Sequence, residues 1–195
     1  MSIASDNRIS KQQKILDCAL QIIKEQGDAG LTMRKLAESS GMRLSNVQYY
    51  FKAKDDVLTA MVASYFKQCE EELSKVTEGG SELNQRDRIH RLLTEVLHHG
   101  TELSDMCRVF RELWAIATRN EAVRVEMERY YQNLCSLLGQ AVLGSDSSKE
   151  QEQHVVSLLL PYIEGYSITA SSLPLKMEDV TDVITHLTMA LIDDT

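Results

Sequence analysis

Proline and glycine are scarce in this sequence, with two and nine occurrences in 195 residues. Because both residues interrupt helices and shape the turns between strands, their scarcity favours long helices over many short strands. No apolar run approaches the roughly 20 residues that a membrane-spanning helix needs. The first ten residues, MSIASDNRIS, also lack the apolar core of a secretory signal. The composition therefore predicts an all-α, cytoplasmic protein that does not contact a membrane.

The cysteines are few and too scattered for a zinc site or a disulfide framework, since none forms a C-x-x-C pair. Each of them falls within an apolar helical pattern, which favours packing in a core over redox sensing. The sequence also contains no Gly-x-Ser-x-Gly, P-loop or Gly-x-Gly-x-x-Gly motif. We therefore expect no metal, no cofactor and no catalytic residues.

Charge is distributed unevenly along the chain. Residues 1–58 carry a net charge of +2 and residues 59–195 carry −10, which together give −8. A mildly basic amino-terminal segment on an acidic body indicates that only this segment approaches a polyanion. Chance scatter of surface charge is the alternative explanation.

Apolar residues recur at helical spacing in the amino-terminal segment. The pattern predicts a first helix over residues 10–26, which Ser10 caps at its start and Gly27 ends. Thr32 is placed to cap a short second helix, and Gly41 to end it in the left-handed conformation that glycine adopts without strain. A third short helix follows after a turn, and a longer fourth helix covers about residues 55–75.

Two short helices joined by a turn that contains glycine, with a longer helix on either side, form a helix-turn-helix. The second short helix of this motif enters the major groove of DNA, while the first crosses the backbone. Five basic residues and two tyrosines lie within residues 31–58, and such side chains donate hydrogen bonds to phosphates. The motif predicts that this segment binds double-stranded DNA.

The same segment resembles the amino-terminal signature of TetR-type transcriptional regulators. The residues in register with that signature are Thr32, Gly41, Tyr49, Phe51 and Lys54. The match extends from residue 10 to about residue 60. The resemblance implies a three-helix DNA-binding head over residues 1–55 and a helical ligand-binding and dimerisation body over residues 56–195, with about nine helices in all.

The resemblance also implies which residues contact DNA. Phosphate contacts are expected from Thr32, Tyr49 and Lys54, and Arg34 matches a position at which some relatives touch a base. The exposed positions of the reading helix are Leu44, Ser45, Asn46 and Gln48.

Two positions depart from the family pattern. Arg43 stands where a small helix-capping residue is usual, and we expect it to reach a phosphate instead. Gln48 replaces a usual tyrosine. The amides of Asn46 and Gln48 have the geometry to pair with the N6 and N7 atoms of adenine.

The acidic body is predicted to contain five further helices, over about residues 85–100, 105–118, 121–144, 149–171 and 178–192. The last two carry apolar arcs that are too wide for one core contact. We expect these two helices to form a four-helix bundle with those of a second copy. A homodimer of this kind supplies the symmetric pair of heads that a palindromic operator requires. An ordinary monomer core is the alternative.

The family resemblance further implies that the body holds a small-molecule inducer, whose binding moves the fourth helix and releases a repressor from DNA. Polar or aromatic side chains set within apolar stripes are the candidate ligand contacts. They are Phe110, Trp114, Tyr131, Cys135, Tyr162, Glu164 and Tyr166. A carboxylate among aromatic rings suits a cationic or hydroxylated ligand.

Two other functions stay open at this stage. A DNA-binding dimer would answer to a protein partner instead of a small ligand if its body had a filled core. Alternatively, Glu95 and His98 form a Glu-x-x-His motif of the kind that di-iron bundles use, which would make the body a metal-carboxylate enzyme. Such a site needs a second copy of the motif, and the sequence contains none.

Overall fold

The structure is a computed structural model that describes residues 3–78, 83–101, 105–144 and 147–193. In these ranges the chain forms nine α-helices, one turn of 3-10 helix and no strand. The all-α prediction and the predicted number of helices are confirmed. The helices are α1 (Ile3–Gly30), α2 (Met33–Ser40), α3 (Leu44–Tyr50), α4 (Lys54–Glu78), α5 (Gln85–Thr101), α6 (Asp105–Ala117), α7 (Glu121–Leu143), α8 (Lys149–Thr169) and α9 (Met177–Asp193).

The chain divides into two compact units that are not continuous in sequence. The first unit comprises Met1–Gln68 and Arg108–Tyr130, and the second comprises Cys69–Cys107 and Tyr131–Thr195. Helices α4, α6 and α7 therefore contribute residues to both units. The division into a head and a body at residue 55 stays a prediction.

Helix α1 differs from its predicted bounds at its start, whereas Gly27 interrupts it as predicted. It begins at Ile3, so Ser10 lies inside the helix and the prediction that it caps the start was wrong. No glycine or proline precedes Ser10, and nothing in the local sequence stops the helix from extending. At the other end, Gly27 breaks the helix with φ 65° and ψ −171°, and the helix resumes as far as Gly30.

Four aromatic rings from α4, α6 and α7 pack together in the first unit. The ring of Phe66 stacks on that of Tyr130 at a centroid distance of 4.2 Å and an interplanar angle of 16°. Phe110 lies 5.5 Å from Phe66 and 5.4 Å from Tyr130, and Tyr65 lies 5.9 Å from Phe110. All four side chains are buried, so the rings join the three helices into one core.

The second unit is built around α5, which packs against α8 and α9. Helix α8 begins with a capping box, in which Ser148 Oγ accepts from the N–H of Gln151 and the Gln151 side chain accepts from the N–H of Ser148. The inward face of α9 carries three buried threonines as well as two apolar residues. Its members are Val180, Thr181, Ile184, Thr185 and Thr188.

The apolar arc predicted on α9 is divided between two faces in the structure. Val180 and Ile184 are buried, whereas the side chains of Val183 and Leu187 are 48% and 45% exposed. On α8, Ile168 is 63% exposed. The single chain thus leaves apolar side chains of both helices uncovered.

Candidate functional site

Helix α2 has the two end signals that the sequence predicts. Thr32 adopts an extended conformation, and its Oγ1 accepts a hydrogen bond from the N–H of Lys35 at 3.1 Å. Gly41 adopts the left-handed conformation with φ 67° and ψ 27°. The N–H of Met42 then donates to the Ala37 carbonyl at 2.9 Å. These bonds satisfy backbone groups that a helix leaves unpaired at its ends, and they fix the turn that leads into α3.

Helix α3 presents polar side chains to solvent. Only Val47 of this helix is fully buried. Because successive side chains are about 100° apart around a helix, Ser45 and Tyr49 lie on the face opposite Val47, and Asn46 and Gln48 flank them. All four are exposed, and the side chain of Tyr49 is 64% exposed. The predicted reading residues are therefore all open to solvent, with Asn46 and Gln48 on opposite sides of the face that carries Ser45 and Tyr49, and Leu44 has a partly exposed side chain.

The two ends of α3 differ in their environment. Arg43, the residue before the helix, is exposed and makes no side-chain hydrogen bond to the N–H groups of the first turn. A guanidinium has donors and no acceptor, so it cannot cap these groups, and the phosphate contact of Arg43 stays a prediction. At the other end Phe51 is buried, as expected of a core residue. Tyr50 is half-buried, and its ring lies edge-on to that of Tyr49 at 5.2 Å.

Lys54, a predicted phosphate contact, is held by a residue that sequence reasoning missed. Its Nζ lies 2.7 Å from Oδ1 of Asp28 and donates to the Asp28 carbonyl oxygen at 2.8 Å. The pair ties the end of α1 to the start of α4. No local sequence signal links these residues, because they meet only when the two helix ends have packed. Arg34, on α2, is exposed.

A cavity open to solvent lies beside this pair in the first unit, with a volume of about 170 Å³. Asn120 lines this cavity and bonds to the first turns of both α4 and α7. Its Nδ2 donates to Oδ1 of Asp55 at 3.3 Å, and its Oδ1 accepts from the N–H of Val123 at 3.2 Å. The other lining residues are Asp28, Lys54, Leu58, Ile116 and Arg119.

Two of the predicted ligand contacts meet in the second unit. Burial raises the pKa of the Glu164 carboxyl above its ordinary value, and a hydrogen bond from the Tyr131 hydroxyl offsets part of that effect. A carboxylate that is costly to ionise, with a phenol as its partner, favours either a proton or a ligand cation. Cys135 lies one helical turn after Tyr131 and is half-buried, and burial raises the pKa of its thiol.

Tyr162 and Tyr166 form a separate pair on α8. Their rings are stacked with centroids 6.1 Å apart, and burial raises the pKa of both phenols. Glu164 lies two residues from each of them, which places it about 200° away around the helix. The two tyrosines and the glutamate therefore lie on different faces of α8.

The remaining two ligand candidates lie in the first unit. Phe110 is buried in the four-ring core, and the side chain of Trp114 is 50% exposed. None of the seven candidate ligand contacts lines the cavity beside Lys54 or the small groove between α1 and α4. The roles of all seven residues in ligand binding stay predictions.

The Glu-x-x-His pair lies at the surface of α5, with both Glu95 and His98 exposed. In the part of the chain that the structure describes, no three His, Cys, Asp or Glu residues are grouped so that they could hold a metal. None of the described helices has the length and apolarity needed to cross a membrane.

Known proteins offer an independent comparison. The family model described as bacterial regulatory proteins, tetR family, matches residues 15–61. The chain is 40% identical over 180 residues to the uncharacterized HTH-type transcriptional regulator in the dhlA 5′ region of Xanthobacter autotrophicus. That match covers 92% of this chain and 89% of the relative.

Solved structures share the fold. A TetR transcription regulator from Haloarcula marismortui matches with a TM-score of 0.68 at 21% identity, covering 95% of this chain and 98% of that one. The multidrug binding protein EbrR, solved in complex with malachite green, matches with a TM-score of 0.61 at 19% identity, covering 92% and 96%. The near full-length relative and the matched helix-turn-helix lead to one conclusion: the chain belongs to the TetR family of bacterial regulatory proteins and is a DNA-binding transcriptional regulator.

Proposed function

We propose that this protein is a repressor that binds a palindromic operator as a homodimer and leaves it when a small cationic ligand enters the second unit. The half-buried carboxylate of Glu164 is the observation that carries the ligand-controlled part of the proposal. The exposed face of α3 supports the reading of DNA, and the uncovered faces of α8 and α9 support the dimer. We propose no catalytic activity.

DNA contacts divide into those that position the protein and those that read bases. We assign phosphate contacts to Thr32, Arg43, Tyr49 and Lys54, whose hydroxyl, guanidinium and ammonium groups donate without regard to sequence. Base contacts are assigned to the exposed polar residues of α3 and to Arg34 on α2. The α3 residues are Ser45, Asn46 and Gln48, with Leu44 available for an apolar contact.

Gln48→Ala tests the assignment of a base contact. Operators are first selected from random duplexes with the wild-type protein, and affinity is then measured by titration. We expect the variant to lose about 1–3 kcal/mol on the selected operator, because one bidentate pair is removed. The preference should broaden at one position of each half-site. Gln132→Ala, which alters an exposed glutamine of α7, should change neither quantity. An unchanged preference at every position in Gln48→Ala would exclude base reading by this residue.

The uncovered faces of α8 and α9 favour a second copy as their partner. Ile168, Val183 and Leu187 are apolar and about half exposed or more. A Cβ built on Gly165 would meet no heavy atom within 4 Å. Glycine inside a helix costs about 0.5–1 kcal/mol relative to alanine, and close approach of a partner helix would explain its presence here. Two-fold pairing of α8 and α9 would cover these residues.

The environment of Glu164 favours a cation as the ligand. Burial makes its ionised form costly, and a bound cation would offset that cost at short range. The hydroxyl of Tyr131 orients the carboxylate and offers a donor to a hydroxylated group. Malachite green, a cationic dye, is a suitable first probe because a protein of the same fold was solved with it.

Glu164→Gln tests the carboxylate through the pH dependence of stability. The pKa of Glu164 is raised in the folded protein, so its stabilising contribution is complete below the ordinary glutamate pKa. That contribution is lost as pH rises through the folded-state pKa. A glutamine side chain cannot ionise, so the variant should gain stability over wild type as pH rises, by about 1.4 kcal/mol for each tenfold difference in proton affinity. Urea denaturation at several pH values measures this. Tyr131→Phe removes the hydrogen bond that lowers the pKa of Glu164. The loss of stability should therefore occur at higher pH in this variant.

The same variant identifies the ligand class. If malachite green binds at Glu164, its affinity for wild type should rise with pH through the folded-state pKa of that carboxyl, and Glu164→Gln should remove the rise. Equal binding by both proteins at every pH would place the dye elsewhere. If neither the dye nor a metabolite screen weakens operator binding, control by a protein partner becomes the better explanation.

A further inference from the structure

Asp28, near the end of α1, contacts both Lys54 at the start of α4 and Leu31, which leads into α2. Its carbonyl oxygen accepts from the Lys54 ammonium at 2.8 Å and from the Leu31 N–H at 3.2 Å. Its carboxylate Oδ1 lies 2.7 Å from Lys54 Nζ. Leu31 directly precedes Thr32, which caps α2. One residue therefore holds both Lys54 and the segment that leads to Thr32, and these are two of the assigned phosphate contacts.

The position of Asp28 follows from the break in α1. Gly27 takes a left-handed φ of 65°, which redirects the chain before α1 resumes. The residue after the break carries a carboxylate that is half-buried, with 34% of its side chain exposed. Lysine side chains are long and flexible, and an unrestrained one would lose rotamer freedom on contacting DNA. The hydrogen bond to the Asp28 carbonyl and the ion pair with its carboxylate remove that freedom in advance.

The Lys54 ammonium group has N–H donors left for a DNA phosphate. A lysine ammonium has three N–H groups and no acceptor. The Asp28 carbonyl accepts from one of them, the carboxylate Oδ1 lies in ion-pair contact with the ammonium, and the Lys54 side chain is still 34% exposed. We propose that Asp28 is a positioning residue for DNA binding, which fixes Lys54 so that a remaining N–H of its ammonium group faces a backbone phosphate. This proposal rests on the proposed phosphate contact of Lys54.

A pair of substitutions separates positioning from charge. Asp28→Asn and Asp28→Ala both remove one negative charge and keep the backbone carbonyl, but only asparagine keeps a side-chain oxygen that can accept from Lys54. Binding is measured on a random-sequence duplex, because phosphate contacts supply non-specific affinity. We expect Asp28→Ala to bind about 2- to 12-fold more weakly than Asp28→Asn, which is the cost of ordering one long side chain on binding. The two should share one salt slope, since the phosphate contacts are the same.

A double-mutant cycle with Lys54→Met makes the test specific. Lys54→Met should flatten the slope of log affinity against log salt by about 0.9, the value for one phosphate contact. In that background Asp28→Asn and Asp28→Ala should bind equally. Asp17→Ala removes an exposed carboxylate elsewhere on α1 and is the control for net charge. It should change DNA affinity by the same factor in the wild-type and Lys54→Met backgrounds. Thermal unfolding of each variant reports on the fold, and Asp28→Leu, which also lacks an acceptor, replaces the alanine variant if that one unfolds.

The outcomes distinguish the two proposals. Equal binding by the asparagine and alanine variants, together with a flattened slope in Lys54→Met, would overturn the role of Asp28 and leave the phosphate contact standing. A difference that persists in the Lys54→Met background would mean that Asp28 acts through the fold alone. An unchanged salt slope in Lys54→Met would remove the phosphate contact and the positioning role with it.

Discussion

Leu187→Asp is expected to turn the protein into a folded monomer with greatly weakened operator binding. The Leu187 side chain is 45% exposed in the single chain, so a carboxylate there remains hydrated and the fold should persist. In the proposed four-helix bundle the same carboxylate would be buried without a partner, which is strongly unfavourable. A monomer engages one half-site at a time, and losing the linked second contact lowers affinity by about 10²–10⁴-fold.

Sedimentation velocity and operator titration measure the two effects together. Val125→Asp is the matched control, because Val125 is 49% exposed on α7, a helix outside the proposed interface. This variant should remain a dimer with unchanged operator affinity. The dimer proposal fails if wild type sediments as a monomer at micromolar concentration, or if both aspartate variants behave alike.

Phe66→Ala is expected to cause the largest loss of stability of any substitution proposed here. The ring is 3% exposed and contacts Tyr130 and Phe110 at once. Removing it leaves a cavity where three helices meet, and such truncations cost about 3–5 kcal/mol. Because α4 begins just after the reading helix, the loss should lower the fraction of protein that is competent to bind DNA.

Chemical denaturation followed by circular dichroism measures the effect of Phe66→Ala on the free energy of unfolding. Phe66→Leu refills most of the volume and should cost much less. Tyr49→Ala removes a ring that is 64% exposed and should have little effect on stability. Comparable losses in Phe66→Ala and Tyr49→Ala would show that the four-ring core contributes little.

Features set by neighbouring residues could be predicted from the sequence, and features set by packing could not. Thr32 and Gly41 identified the ends of α2 because a cap and a left-handed turn are local. The start of α1 was misplaced because a polar segment without breakers gives no stop signal. The Asp28–Lys54 pair was invisible because it depends on how two helix ends meet.

The ligand candidates show a third case. Their residue types and apolar surroundings could be read from the sequence, as Tyr131 and Glu164 show. Whether such residues converge depends on the rotation of each helix about its axis. The separation of Glu164 from Tyr162 and Tyr166 follows from the helical angle alone, whereas the burial of Phe110 among three other rings required the tertiary structure.

The discontinuous first unit has a consequence for the newly made protein. The reading helix α3 ends at Tyr50, but the first unit, to which it belongs, is completed only by Arg108–Tyr130. A ribosome adds about 5–20 residues per second, so α3 emerges several seconds before Phe110 and Tyr130 are made. During that interval Phe66 lacks two of its ring partners, and α4, which follows the reading helix, lacks the core that joins it to α6 and α7. The predicted DNA-reading segment is therefore made early, whereas its unit is complete only when about two thirds of the chain has been made.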